Sequence, residues 1–309
     1  MTTTFHSNGK LLLTGEYIVL RGAEALALPL KRGQSLQVLN KGEPGRIRWF
    51  SYYKNSSIFE GLFSIEQKQF ISSNDKQISN FLEKILSTIV RYLPRELKQK
   101  GLTINTYLEF PLHWGLGSSS TLIYNLAQWL QINPFTLNKT ISEGSGYDIA
   151  CAESKHPIVY QKNGNDPKYS AVQFDPPYKK HLFFIYTGKK QDSREEIRKY
   201  LDTQNKSNEF QKEIHSINQE ILKSQNLTSF EKAIQRHEQM ISGILGTPPV
   251  QQSIFPDFPG TIKSLGAWGG DFILATWKNS LNELREYFLR YNLDIIFAWD
   301  DLIKNEQHA

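Results

Sequence analysis

Hydrophobic and polar positions alternate between two periods along this chain. The first apolar runs are short: Leu11 to Leu13, then Tyr17 to Leu20, parted by Thr14-Gly15-Glu16. They predict a strand, a turn and a continuation of the strand. Ala23 to Leu30 is a further apolar stretch, with Pro29 near its end. Ser35 to Leu39, Ile47 to Tyr53 and Ile58 to Phe63 are strand-like, and Gly42, Pro44 and Gly45 punctuate them as turns. This predicts an antiparallel meander. The pattern then changes. Ile78, Phe81, Leu82, Ile85, Leu86, Ile89, Val90 and Leu93 recur at helical spacing until Pro94. Leu102, Ile104, Thr106, Leu108 and Phe110 alternate as a half-buried strand, and Leu122 to Leu130 is an apolar helical run that ends near Asn133-Pro134.

The second half repeats the mixture. Pro157 to Tyr160 predicts a strand, residues 163 to 168 a polar turn, and Asp175-Pro-Pro177 a break in the chain. We take that break as the boundary between domains at 1–177 and 178–309. Beyond it, His181 to Thr187 reads as a strand and residues 193 to 222 and 229 to 245 as helices. Phe230, Ala233, Ile234, His237, Ile241 and Ile244 stripe the second helix, and Pro248-Pro249 stops it. Asp271 to Trp277 reads as a strand, Leu281 to Tyr291 as a helix and Leu293 to Trp299 as a last strand. No repeat or heptad array is present. Strands and helices mixed on both sides of the break predict an α+β architecture.

Charge and cysteine use narrow the function classes. The formal net charge of +5 is modest for 309 residues and suits anionic small molecules. Lys and Arg are scattered, not grouped in an arm or stripe, so nucleic acid is not the expected partner. The single cysteine, Cys151, excludes an internal disulfide and a cysteine zinc cluster. The start, Met-Thr-Thr-Thr-Phe-His, lacks a basic and apolar leader, and no apolar run is long enough to span a bilayer. The expectation is a cytoplasmic protein without a membrane partner.

The stretch with most chemistry is Pro111-Leu-His-Trp-Gly-Leu-Gly-Ser-Ser-Ser-Thr121, between the predicted strand and the apolar helix. Gly115 and Gly117 permit backbone angles that other residues resist. Ser118, Ser119 and Ser120 fall where a helix presents unpaired amides and the positive end of its dipole. That is a phosphate cradle, or equally a plain turn before a capped helix. It is neither a Walker loop nor a dinucleotide fingerprint.

Three more stretches accompany it: Gly9-Lys-Leu-Leu-Leu-Thr-Gly-Glu-Tyr17, Gly144-Ser-Gly-Tyr-Asp-Ile-Ala150 and Leu265-Gly-Ala-Trp-Gly-Gly-Asp271. In this order the set resembles the motifs of the GHMP small-molecule kinases, nearest to the mevalonate and phosphomevalonate kinase branch. The resemblance spans residues 9 to 271. It implies a domain like that of ribosomal protein S5 followed by a ferredoxin-like domain, and a monomer or homodimer that uses ATP and Mg2+. Asp148 is then the group that receives the acceptor's hydroxyl proton, and Lys10 the cation that stabilises the ionised carboxylate and the moving phosphoryl group. Gly115, Leu116, Gly117, Ser118, Ser119 and Ser120 become the ATP phosphate cradle, with Ser118 and Ser119 as magnesium hydroxyls. Glu16, Tyr17, Gly266, Trp268, Gly269 and Gly270 support the site. Lys189, Lys190 and Ser193 face an anionic acceptor, and Glu143 is an unaligned candidate for a metal carboxylate.

Each of these residues also has a plain structural reading: Asp148 as a helix cap, Lys10 and the Lys189–Lys190 pair as solvated charges, and Glu16 as a carboxylate bonded to backbone or an arginine. Departures from the family pattern are Asn8 before Gly9-Lys10, Ser120 in place of Ala, and Trp268 in place of a small residue. Tyr17 after Gly-Glu and the Ser-Gly-Tyr-Asp form favour phosphomevalonate over mevalonate as acceptor. The alternatives are a sugar or another small alcohol, or a catalytically silent homologue that senses a ligand.

Overall fold

The structure is a computed structural model; it describes residues 2–142, 144–164, 166–188, 207–266 and 270–306. By contact density these fall into two units. One holds the residues up to Gly9, 32–112 and 117–153; the other holds 10–31, 113–116 and 154–306 among the described residues.

The first unit is a sheet covered by helices. β3 (Arg46–Tyr53) and β4 (Ser56–Ser64) pair antiparallel as expected, β5 (Gln69–Ser73) adds an unexpected third strand beyond β4, and Ser35 to Leu39 is not part of this meander. The strand order is β5-β4-β3-β6-β2. β2 (Glu24–Leu39) therefore does not pair with β3. β6 (Leu102–Leu108) lies between them, antiparallel to β2 and parallel to β3. A parallel neighbour needs a crossover connection, and α1 (Lys76–Ile89) lies on it.

α1 forms for reasons visible locally. The Asp75 carboxylate accepts from the Ile78 amide at its start, a cap that contributes about 1 kcal/mol. Its apolar stripe buries Leu82, Ile85, Leu86 and Ile89 in one core with Trp49, Phe59, Phe63 and Ile104. Each such side chain contributes about 1.5–3 kcal/mol. α2 (Arg95–Lys100) follows, and α3 (Ser118–Leu130), α4 (Pro134–Ile141) and α5 (Tyr147–Glu153) complete the layer. α4 and α5 have no clear periodic pattern in the sequence. α4 is started by Asn133, whose side chain accepts from Thr136 N, and by Pro134 at its first position.

The second unit takes the first half of β2. Glu24 to Ala27 pairs with β7 (Ile158–Gln161), and β7 pairs with β8 (Lys168–Ala171). β1 (Thr2–Thr14) pairs with β2 as well. Ala25 to Leu30 is buried without alternation, the signature of a strand covered on both faces. The predicted strand continuation at Tyr17 to Leu20 is not there: Ile18–Arg21 is a 3-10 turn. Gly15 at φ 92° and Tyr17 at φ 62° end the extended chain. β2 returns so close that a Cβ on Gly15 would stand 2.7 Å from the Glu24 carbonyl.

The remainder is β9 (Leu182–Tyr186), α6 (Ser207–Lys223), α7 (Leu227–Leu245), α8 (Val250–Ile254), β10 (Ile262–Leu265), β11 (Phe272–Thr276), α9 (Leu281–Leu289), β12 (Ile296–Ala298) and α10 (Trp299–Leu302). The strands are antiparallel in the order β10-β11-β9-β12. Two strand–helix–strand passages with this order make the ferredoxin-like arrangement. Its core gathers Ile185, Phe255, Phe258, Ile273, Leu284 and Phe288.

Candidate active site

α3 begins at Ser118 behind Gly117, whose φ of 96° is open to glycine and strained for other residues. No side chain caps the helix. The first amides, of Ser118, Ser119 and Ser120, therefore lack intrahelical acceptors. The three serines differ. Ser120 is buried and its hydroxyl donates to the Gly117 carbonyl at 2.9 Å. Thr121 reinforces the turn: its backbone amide donates to Gly117 O at 3.0 Å and its hydroxyl donates to Gln34 Oε1 at 2.7 Å. Ser118 is half-buried and Ser119 exposed, and neither hydroxyl is engaged by a described residue. The N-terminus of α3 thus offers amides and two hydroxyls in the same place, the property of an anion site.

Asp148 lies in the first turn of α5, after Gly146 at φ 91°. Its Oδ1 accepts from the Ile149 amide at 3.1 Å. The following Ile149, Ala150, Cys151 and Ala152 are all buried. α5 packs on α3 within the first unit, and the Tyr124 hydroxyl ties the two helices through Glu153 Oε2 at 2.8 Å. The carboxylate is thereby carried on a rigid turn.

In the second unit Lys10 meets the cradle segment. Its ammonium donates to the Gly115 carbonyl at 2.9 Å, and its backbone amide donates to the Leu116 carbonyl at 3.0 Å. The two partners stand 105 positions apart. Gly115, at φ 67°, has its own constraint: a Cβ there would fall 1.8 Å from Asp271 Oδ2. Asp271 ends the third motif, and no local feature of the sequence marks it as a neighbour of Gly115. Its charge, after burial, helps push the Tyr186 phenol up. Trp114 anchors the segment by packing on Tyr186, Phe272 and Phe297 at centroid distances of 5.4, 5.9 and 5.6 Å.

Glu16 is buried, and its partners are neither backbone nor arginine. Its Oε1 is 2.8 Å from the Lys263 ammonium and its Oε2 3.1 Å from His237 Nε2. Lys263 also reaches Glu238 Oε1 at 3.1 Å and the Ser264 carbonyl at 2.9 Å. Burial alone would raise the Glu16 carboxyl and lower the Lys263 ammonium. The mutual charges outweigh it, so Glu16 is held below and Lys263 above its ordinary value. Lys263 and Glu238 were missed, because a lysine in a four-residue strand carries no local sign of burial. Among the described residues no group of three His, Cys, Asp or Glu could hold a metal ion.

Tyr17 is buried beside this turn. Gly266 has φ 81° with open space around it, and the Gly270 carbonyl accepts from the Thr187 hydroxyl at 2.7 Å. Glu143, Lys189, Lys190, Ser193, Trp268 and Gly269 lie outside the described residues.

Searches of protein families and of curated proteins found no match. Solved structures do match over nearly the whole chain. Methanococcus jannaschii mevalonate kinase shares 17% identity at TM-score 0.68, covering 99% of this chain and 99% of that one. Streptococcus pneumoniae phosphomevalonate kinase, in complex with phosphomevalonate and AMPPNP, shares 15% at TM-score 0.69, covering 96% and 99%. Lactococcus lactis galactokinase, complexed with galactose, shares 14% at TM-score 0.71, covering 98% and 93%. These kinases are of the GHMP type, and the chain has their α+β two-domain fold.

Proposed function

We propose that the chain is an ATP-dependent small-molecule kinase, with phosphomevalonate as first acceptor and mevalonate as second. The observation that carries this reading is the α3 N-terminus: unpaired amides and two unengaged hydroxyls behind a positive-φ glycine, in the fold of known kinases. Phosphoryl transfer needs mainly positioning and charge stabilisation. The amides of Ser118 to Ser120 hold nucleotide phosphate, together with the backbone of Gly115 to Gly117. Lys10 neutralises charge on the transferred group, and Asp148 orients the acceptor hydroxyl and takes its proton. The division at 1–177 and 178–309 goes with this reading, the first part serving nucleotide and the second serving acceptor through Lys189, Lys190 and Ser193.

Magnesium fits the residues present. It takes oxygen ligands, keeps several waters and is commonly bound with substrate phosphates. The Ser118 and Ser119 hydroxyls would hold it, and it would supply further charge neutralisation there. No helix among the described residues is long and apolar enough to cross a membrane; the cytoplasm is the location that goes with this proposal.

The galactokinase likeness supports a sugar as the second reading. ADP release across phosphomevalonate, mevalonate, galactose and other sugars separates the two. Asp148→Asn should lower turnover on the true acceptor on the order of 10²-fold or more, with ATP affinity little changed, and Lys10→Met should depress turnover too. ATP turnover that no acceptor stimulates, or both variants at wild-type rates, overturns the assignment.

A further inference from the structure

The turn Thr14-Gly15-Glu16 is held from three sides by residues far along the chain. The Thr14 hydroxyl donates to Asn218 Oδ1 and accepts from the Leu26 amide. The Gly15 amide donates to His237 Nε2 at 3.1 Å. The Glu16 carboxylate spans His237 and Lys263. Glu16, His237, Glu238 and Lys263 are at most 3% exposed. Buried charges of this kind persist only when paired.

A charge count isolates His237. The Lys263 ammonium has three protons, directed to Glu16, Glu238 and the Ser264 carbonyl. It is saturated, and it balances one of the two carboxylates. Glu238 is further engaged by the Ser264 amide at 3.3 Å. The remaining carboxylate charge faces the imidazole, with Glu16 Oε2 3.1 Å from Nε2. The charged and titratable groups around the ring are Glu16 from the turn, Glu238 from α7 itself, 3.8 Å from Nδ1, and Lys263 from β10 through its shared carboxylates.

The ring also faces a conflict of hydrogen-bond roles. Nε2 lies 3.1 Å from the Gly15 amide, a donor, and 3.1 Å from Glu16 Oε2, an acceptor. One nitrogen cannot serve both. With a proton on Nε2, the ring donates to Glu16 and the Gly15 amide loses its acceptor. Without that proton, Nε2 accepts from Gly15 and its lone pair opposes the carboxylate. The backbone next to the conflict has little slack, since Gly15 is pressed against β2 and Tyr17 holds a positive φ.

We propose that His237 is a positioning residue for the Gly15–Glu16 turn, its Nε2 proton choosing between the Gly15 amide and the Glu16 carboxylate. That this turn serves the kinase rests on the function proposed above; the coupling of ring and turn does not.

Two measurements test it. In protein labelled with 15N at histidine and glycine, the His237 ring and Gly15 amide signals should move together as the pH is varied. Glu16→Gln removes the anionic acceptor and should uncouple them. A Gly15 amide indifferent to the state of His237, in protein that stays folded, overturns the proposal. The second measurement is the pH profile of turnover. His237→Gln supplies both a donor and an acceptor without titrating. It should change the shape of that profile while shifting the ATP Michaelis constant by less than about threefold. A profile with the wild-type shape overturns a role in the reaction. If His237→Gln does not fold, the wild-type labelling experiment decides alone. Coupled signals in a protein without kinase activity would refute the proposed function and leave the positioning role standing.

Discussion

Gly115 has two independent reasons to lack a side chain: its φ of 67° and the Asp271 carboxylate occupying its Cβ direction. Gly115→Ala should destabilise the protein by about 1–3 kcal/mol, read as a lower midpoint in thermal unfolding. Adding Asp271→Ala should recover part of that loss, which a double-mutant cycle would measure. The buried Lys263 gives a second prediction. Lys263→Met leaves Glu16 and Glu238 without their ammonium and should cost about 3–5 kcal/mol, seen as a lower denaturant midpoint at neutral pH. The sign of the pH dependence follows from the directions above. Glu16, folded, lies below its ordinary 4.5, so its stabilisation is complete above that value and vanishes as pH falls through the lower folded value. Lys263, folded, lies above 10.5, so its share is complete below that value and vanishes as pH rises through the folded one. The stability gap between wild type and Lys263→Met should therefore narrow below pH 4.5 and again above pH 10.5. A gap independent of pH at both ends would refute the ion-cluster account.

At the scale of elements, local chemistry decided which ones were readable. α1, α7 and α9 have an apolar period and a side-chain cap at the start: Asp75, Asn226 and Ser280. Asp75→Ala should cost about 0.5–2 kcal/mol, measurable by urea unfolding. β5, β8 and β10 were not readable, being four or five residues long and without clean alternation. α4, α5 and α8, of eight residues or fewer, are too short for a period to emerge. Tyr17 to Leu20 misled because it is apolar enough for a strand, while the positive φ at Tyr17 depends on the turn around it. The α3 start gives the functional test at this scale. Gly117→Val places a branched residue at φ 96° beside the proposed phosphate site. It should abolish ATP binding in calorimetry while circular dichroism shows the helices intact.

For the whole molecule, ligand binding and stability are linked. If ATP binds the folded state alone, ATP at about 100 times its dissociation constant adds about 2.7 kcal/mol. A rise in unfolding midpoint with ATP, absent in Gly117→Val, is the expected result. The sequence by itself determined the ordered motifs, the long periodic helices and the α+β class, because these depend on neighbours within a turn or two. It also named Lys10, Asp148 and the Gly115 to Ser120 segment. Only the tertiary structure decided that Lys10 meets Gly115 across 105 positions, that Asp271 presses on the same glycine, and that Lys263 meets Glu16 across 247. It also placed β6 beside β3 in parallel. The physical reason is desolvation. Whether a charge is solvated on a surface or paired in an interior depends on which distant segments cover it, and no local pattern of residues carries that information.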